Sequence, residues 1–367
     1  IVGSALVDMY AKTHMLEEAQ EVFDGLQVRN VVSWTALIAG YLDHGLTCEA
    51  LSLYKRIQMD GILPDAISFA FGLKASASLK HWAEGLGIHI DIVKLGLEKD
   101  ALVGSSLVDF YAKCGLFREA KESLDQLLVR DVISWNILIF GYTMHDHGKE
   151  ALMCFEQMQR EGVSLTTFTY VSVLKACGIS LDTEKGKEIH SQVTRKGLLE
   201  TDDLVGNMLV DMYGRCGSLA EAQVVFDKLL VHDVISWTAL ILGYVKCQSC
   251  EKALNLYKRM QLEGVCPNTV TYICILKACS ILGALDIGEY IDAEVRKKGL
   301  LHEHLELGNA LVNMYSKCGA PEKAQEVFEL LSLRNVVTWS TLIAGYAQNG
   351  LGHKALKCFM QMKHAAV

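Results

Sequence analysis

Four of the five tryptophans recur at a nearly fixed interval: Trp34, Trp135, Trp237 and Trp339 are 101, 102 and 102 residues apart. Around them the chain reads VVSWTALIAGY, VISWNILIFGY, VISWTALILGY and VVTWSTLIAGY, so a whole segment is repeated and not a single residue. The chain's 367 residues would by themselves allow two ordinary globular domains. Repetition at a fixed period selects an array of stacked copies, because one copy cannot bury its apolar face alone.

A unit of 102 residues is too long for one helix pair, and three related blocks can be cut within it, 132–166, 167–202 and 203–233, of 35, 36 and 31 residues. Each holds two amphipathic stretches of about 12 to 15 residues. In the first complete block Trp34, Leu37, Ile38 and Tyr41 fall on one helical face, Gly45 breaks the pattern, Ala50, Leu51, Tyr54 and Ile57 resume it, and Gly61 stops it. Pro64 and Pro267 follow second helices, and Pro321 opens one, where its missing N–H does no harm. The expected fold is an all-α superhelical solenoid of stacked antiparallel helix pairs. Its blocks are 1–30, 31–65, 66–100, 101–131, 132–166, 167–202, 203–233, 234–268, 269–304, 305–335 and 336–367, the first and last clipped. Such a stack has a long concave surface suited to an extended partner.

Hydrophobic residues make up 51% of the chain, yet no apolar run reaches bilayer length, so a soluble body without a membrane partner is expected. A formal charge of −8 argues against nucleic acid unless a basic stripe lies within the acidic average. Three prolines and no Gly/Ser/Pro-rich linker favour one continuous body. Twelve cysteines are too sparse for a disulfide scaffold and suit a reducing compartment. The opening Ile1-Val2-Gly3 lies inside a helical pattern, as in a fragment of a longer chain.

Chemistry-bearing motifs are few. Cys247-Gln248-Ser249-Cys250 has zinc-ligand spacing but no second pair at a finger-like interval. His304-Leu305-Glu306 matches half of a nucleobase-deaminase signature whose P-C-x-x-C half does not follow. His89 and His190 recur in two long blocks, but the third has Asp292 there. With no phosphate loop, nucleophile elbow or zincin helix, no catalytic residue, metal or cofactor is expected.

The blocks GNALVNMYSKCGAPEKAQEVF at 308–328, VVTWSTLIAGYAQNGLGHKAL at 336–356 and TYVSVLKACGISLDTEKGKEIH at 169–190 resemble plant pentatricopeptide repeats (PPR) of the PLS class, as does the alternation of 31, 35 and 36 residues. The resemblance covers the whole chain. It implies a right-handed solenoid that binds single-stranded organellar RNA, in mitochondrion or chloroplast. Most members of the class specify sites of C-to-U RNA editing, with a deaminase or editing accessory factor as possible partner. Deaminase activity would then reside in a C-terminal extension or in that partner, and the chain itself would be a monomer.

In that family the fifth and last residues of a repeat discriminate bases, because unstacked bases can show their edges to two side chains. Carried over, Ser4 with Asn30 implies adenine, Thr35 with Asp65 and Ser105 with Asp131 guanine, and Asn207 with Asp233 uracil. Thr238 with Asn268 implies adenine and Asn309 with Asn335 cytosine or another pyrimidine, while Asn136 with Thr166 departs from the usual pairs and implies at best a pyrimidine, and Ser340 has lost its partner. Ala70, Val171 and Ile273 stand at the fifth place of the long blocks, where aliphatic groups cannot hydrogen-bond a base. The implied reading, 5′ to 3′ from N to C terminus, is A-G-N-G-Y-N-U-A-N-Y.

The same alignment puts Val32, Ile133, Leu204, Ile235 and Val337 at the second place, where an apolar side chain would sandwich a base. It puts Lys12, Lys113, Arg215 and Lys317 at one place in the four short repeats, as a stripe for phosphates or an ordinary solvated face. Two residue types have two readings. The tryptophans could stack bases or fill the core, and Asn and Asp at repeat ends could read bases or cap helices. The competing function is a protein-interaction scaffold of the tetratricopeptide kind, whose period is almost the same.

Overall fold

The computed structural model describes residues 2–365, and every regular element among them is a helix. Two compact units are distinguished, 1–180 and 181–367. The first contains five antiparallel helix pairs, beginning with Val2–Lys12 and Leu16–Asp24 and ending with Val132–Met144 and Gly148–Arg160, and then the single helix Thr167–Ser180. The second opens with Thr183–Arg195 and the one-turn helix Leu198–Thr201 and continues with five pairs, from Asp203–Arg215 and Leu219–Lys228 to Val336–Gln348 and Gly352–His364. The short helix was not anticipated. It occupies the end of the 36-residue block, between Gly197 at φ +67° and Asp202.

Within each unit the first helix of a pair packs both on its own second helix and on the first helix of the next pair. In each unit the first helices therefore form one layer. Their close approach requires small residues: a Cβ on Gly141 would stand 2.6 Å from the Ala112 Cβ, and one on Gly243 would stand 2.8 Å from the Gly214 Cα.

The tryptophan alternatives resolve towards the core. Trp34, Trp135 and Trp237 are fully buried and Trp339 is 7% exposed. Trp34, Trp237 and Trp339 meet Phe23, Phe226 and Phe328 edge to face at 4.6–4.7 Å, a geometry that aromatic quadrupoles favour. Trp82, outside the repeat pattern, begins its helix and is exposed.

Candidate nucleic-acid interface

The last residue of a block is the N-cap of the next block's first helix. Asn30, Asp65, Asp131, Asp233, Asn268 and Asn335 each accept the backbone N–H three residues on, at 2.8–3.0 Å, through Oδ1. Capping and base reading are thus compatible. The cap uses one of two polar atoms and leaves the other, an amide donor in Asn and a carboxylate acceptor in Asp, so the two residues differ in what they can offer a base.

At three junctions the fifth residue of a repeat reaches that cap directly from the previous first helix. Asn207 Nδ2 donates to Asp233 Oδ2 at 3.0 Å, Asn136 Nδ2 to Thr166 Oγ1 at 3.3 Å, and Ser4 Oγ to Asn30 Oδ1 at 3.5 Å. Thr238 reaches Asn268 through one intermediary, Thr271, whose Oγ1 lies 2.7 Å from Thr238 Oγ1 and donates to Asn268 Oδ1 at 2.9 Å. Thr35 turns its hydroxyl to the carbonyls of Val31 and Val32, Ser105 to that of Ala101 and Ser340 to that of Val336. Their outward lone pairs can then only accept. The Oδ1 atoms of Asn207 and Asn309 are enclosed without a partner, at a cost of about 1–3 kcal/mol each.

Val32, Ile133, Leu204, Ile235 and Val337 are 48–60% exposed, on the first helices and beside the reading positions. Ile67, Leu102, Phe168 and Val270 stand at the same place and are 45–51% exposed, so they extend the row, while Glu306 interrupts it. Their sequence signal was the second-place register itself, which continues through the long repeats. Two grooves of the first unit gather all three residue classes. One, of about 650 Å³, is lined by Ser4, Asn30, Thr35, Val32 and Lys12; the other, of about 730 Å³, by Asn136, Ile133, Phe168 and Lys113.

The basic set is less cationic than its residue types imply. Lys12, Lys113 and Arg215 bind Asp8, Asp109 and Asp211 one turn earlier at 2.6–2.8 Å, whereas Lys317 has Asn313 at that place. Exposed pairs of this kind contribute about 0.2–1 kcal/mol. A phosphate can therefore compete for the cation at small cost, but it meets a carboxylate beside it.

The remaining motifs have structural surroundings. Cys247 is exposed and Cys250 buried. His304 precedes the helix Leu305–Lys317, and Glu306 is exposed in its first turn. His89 Nδ1 lies 2.5 Å from Tyr111 Oη and His190 Nδ1 3.0 Å from Tyr213 Oη, while Tyr315 Oη donates to Asp292 Oδ2 at 2.8 Å. Burial pushes both imidazoles below their usual range and both phenols up to about 12. Among the described residues no three His, Cys, Asp or Glu side chains converge on a metal-sized site, and no helix is long and apolar enough to cross a membrane.

Sequence profiles of the PPR repeat match at 4–31, 32–62, 105–132, 207–234, 309–336 and 337–365, and those of the PPR repeat family at 130–178 and 232–280, together more than half of the chain. A mitochondrial pentatricopeptide repeat-containing protein of Arabidopsis thaliana is 33% identical, over 99% of this chain and 52% of its own length. A chloroplastic one from the same plant is 34% identical, over 99% of this chain and 45% of itself. The chain thus spans about half the length of these relatives. The crystal structure of the maize pentatricopeptide repeat protein PPR10 superposes with a TM-score of 0.69 at 16% identity, over 99% of this chain and 58% of that one. The same protein in complex with an 18-nt psaJ RNA element superposes at 0.73 and 15% identity, over 99% and 55%. At such identities the likeness establishes the fold.

Proposed function

The chain belongs to the pentatricopeptide repeat family, and on that premise we propose that it binds single-stranded RNA by sequence, reading about one base at each polar junction. The observation that carries this reading is the meeting of the fifth residue with the helix cap that ends its repeat, seen directly at Asn207 and Asp233. A peptide-binding scaffold has no use for paired donors and acceptors at junctions flanked by exposed apolar residues. The maize protein crystallised with RNA supports the same ligand class.

The finer reading is a PLS-class specificity factor for C-to-U editing in a mitochondrion or chloroplast, compartments for which close relatives are named. Its support is the alternation of 31, 35 and 36 residues. The chain would select the site, and a deaminase elsewhere in the parent protein or in a partner would carry out the chemistry. Ala70, Val171 and Ile273 would space and not read, and Lys12, Lys113, Arg215 and Lys317 would face phosphates.

Selection from a random single-stranded RNA pool at fixed salt tests the proposal, because phosphate-driven affinity varies steeply with salt. Enrichment near A-G-N-G-Y-N-U-A-N-Y is expected. A folded protein that enriches no sequence would sink the RNA reading in favour of the scaffold.

A further inference from the structure

A hydroxyl at the third place of the first helix accompanies every polar reading residue that has a following helix. After Ser4, Thr35, Ser105, Asn136, Asn207, Thr238 and Asn309, the next helix carries Ser33, Ser68, Ser134, Thr169, Ser236, Thr271 and Thr338. After the aliphatic Ala70, Val171 and Ile273 it carries Val103, Val205 and Leu307. All seven hydroxyl residues are at most 1% exposed. A buried hydroxyl is costly unless it is bonded; Ser33, Thr271 and Thr338 complete capping boxes with Asn30, Asn268 and Asn335, yet caps form without a third-place hydroxyl where Asp100 holds the backbone N–H groups of Leu102 and Val103 and Asp202 that of Leu204.

We propose that this third-place hydroxyl is a positioning residue for base recognition, which sets the donor or acceptor that each junction presents; the proposal rests on the RNA reading above. The hydroxyl reaches Oδ1 of the cap at Asp65, Asp131, Asn268 and Asn335, and the cap's own carbonyl at Asn30 and Asp233. Thr271 Oγ1 donates to Asn268 Oδ1, which also accepts the Thr271 N–H, so two bonds of 2.9 Å hold that oxygen inward and leave Nδ2 as the outward atom. The single Thr238 proton is shared between the Val234 carbonyl at 2.6 Å and Thr271 Oγ1 at 2.7 Å, leaving the Thr238 oxygen as an acceptor. This junction therefore shows one donor and one acceptor, the complement of the adenine N1 and N6 edge.

At Asp131 the Ser134 N–H bonds Oδ1, the Ser134 hydroxyl lies 2.9 Å from both Oδ1 and the Asp131 carbonyl, and Oδ2 is left as an acceptor. With Ser105 also accepting, that junction shows two acceptors, which suit the N1–H and N2–H donors of guanine. At Asn136 the hydroxyl of Thr169 occupies Oδ1 at 2.8 Å while Nδ2 is spent on Thr166, so both amide atoms are engaged internally. That junction therefore offers a base no unengaged amide atom of Asn136.

The test uses the full chain with the variants Thr271→Val, Thr271→Ser and Ser134→Ala. Affinities are measured for RNAs AGAGUAUXAU and AGAXUAUAAU, with X as each of the four bases, alongside thermal melting. Thr271→Val is expected to reduce discrimination at X of the first series by roughly threefold to tenfold, the loss of one net hydrogen bond, and to leave the second series unchanged. Thr271→Ser should restore it, and Ser134→Ala should act on the second series alone. A wild-type protein that is folded yet binds none of these RNAs and enriches none from a random pool would end the RNA reading itself. Discrimination by folded variants equal to wild type would overturn the positioning role and leave RNA binding intact. Should Thr271→Val not fold, Ser134→Ala, which removes a single atom, decides.

Discussion

The helices Val132–Met144 and Thr167–Ser180 are neighbours in the first unit and follow nearly the same plan. The second residue is an exposed apolar one, Ile133 or Phe168; the third a buried hydroxyl, Ser134 or Thr169; the fourth a buried aromatic, Trp135 or Tyr170. They part at the fifth, which is Asn136 in one and Val171 in the other. Since both helices form and bury their third, fourth, seventh and eighth residues, the fifth side chain is not what holds the fold together. It is the position at which chemistry can vary while the core stays fixed.

The largest effect should come from breaking what the two helices share. Trp135→Ala and Tyr170→Ala should each destabilise by about 3–5 kcal/mol, read from urea unfolding. A near-neutral Tyr170→Ala would show that the two aromatics are not equivalent. Next, Thr238→Asn with Asn268→Asp should move preference at one RNA position from A towards U by about 1–3 kcal/mol, a scale taken from DNA base readout. A shift at another position would mean that the register is wrong.

A smaller effect sharpens the contrast at the fifth place. Val171→Asn should change stability by less than about 1 kcal/mol, since Val171 is half-buried and the matching place already accepts Asn136. It should also add a base preference between those read by Asn136 and Asn207, measured by repeating the pool selection. An unchanged consensus would make the long repeats spacers for reasons other than that side chain.

The smallest effect is in pH. His89 and His190 lie below their ordinary value of 6.5 through burial, so the folded state binds fewer protons than the unfolded one. Their contribution is complete above about pH 6.5 and is lost as pH falls from there through the lowered values. His89→Asn with His190→Asn should flatten the melting temperature over that window. An unchanged slope would place the titration elsewhere; Asp292, which holds the corresponding place against Tyr315, is paired with Arg296 at 2.7 Å.

The role of the terminal Asn and Asp residues was open in the sequence, because a cap and a base reader are the same residue types. Only the bond geometry shows Oδ1 used and the other atom left over. Ile67, Phe168 and Val270 of the long repeats and Leu102 of a short one were legible through register, since the second place is exposed in both kinds of repeat. The acidic partners of Lys12, Lys113 and Arg215 were also legible, at i−4 in each helix.

By itself the sequence determined the array and the helix pairs, because those follow from spacings within one helix or one period, where covalent geometry fixes which side chains share a face. Tertiary structure alone decided that Asn207 meets Asp233 and that Thr271 joins Thr238 to Asn268, partners 26 and 33 residues apart. Such contacts depend on how closely one first helix lies against the next, a distance set by packing along the whole interface and, between the helices of Asn207 and Thr238, by Gly243 against Gly214.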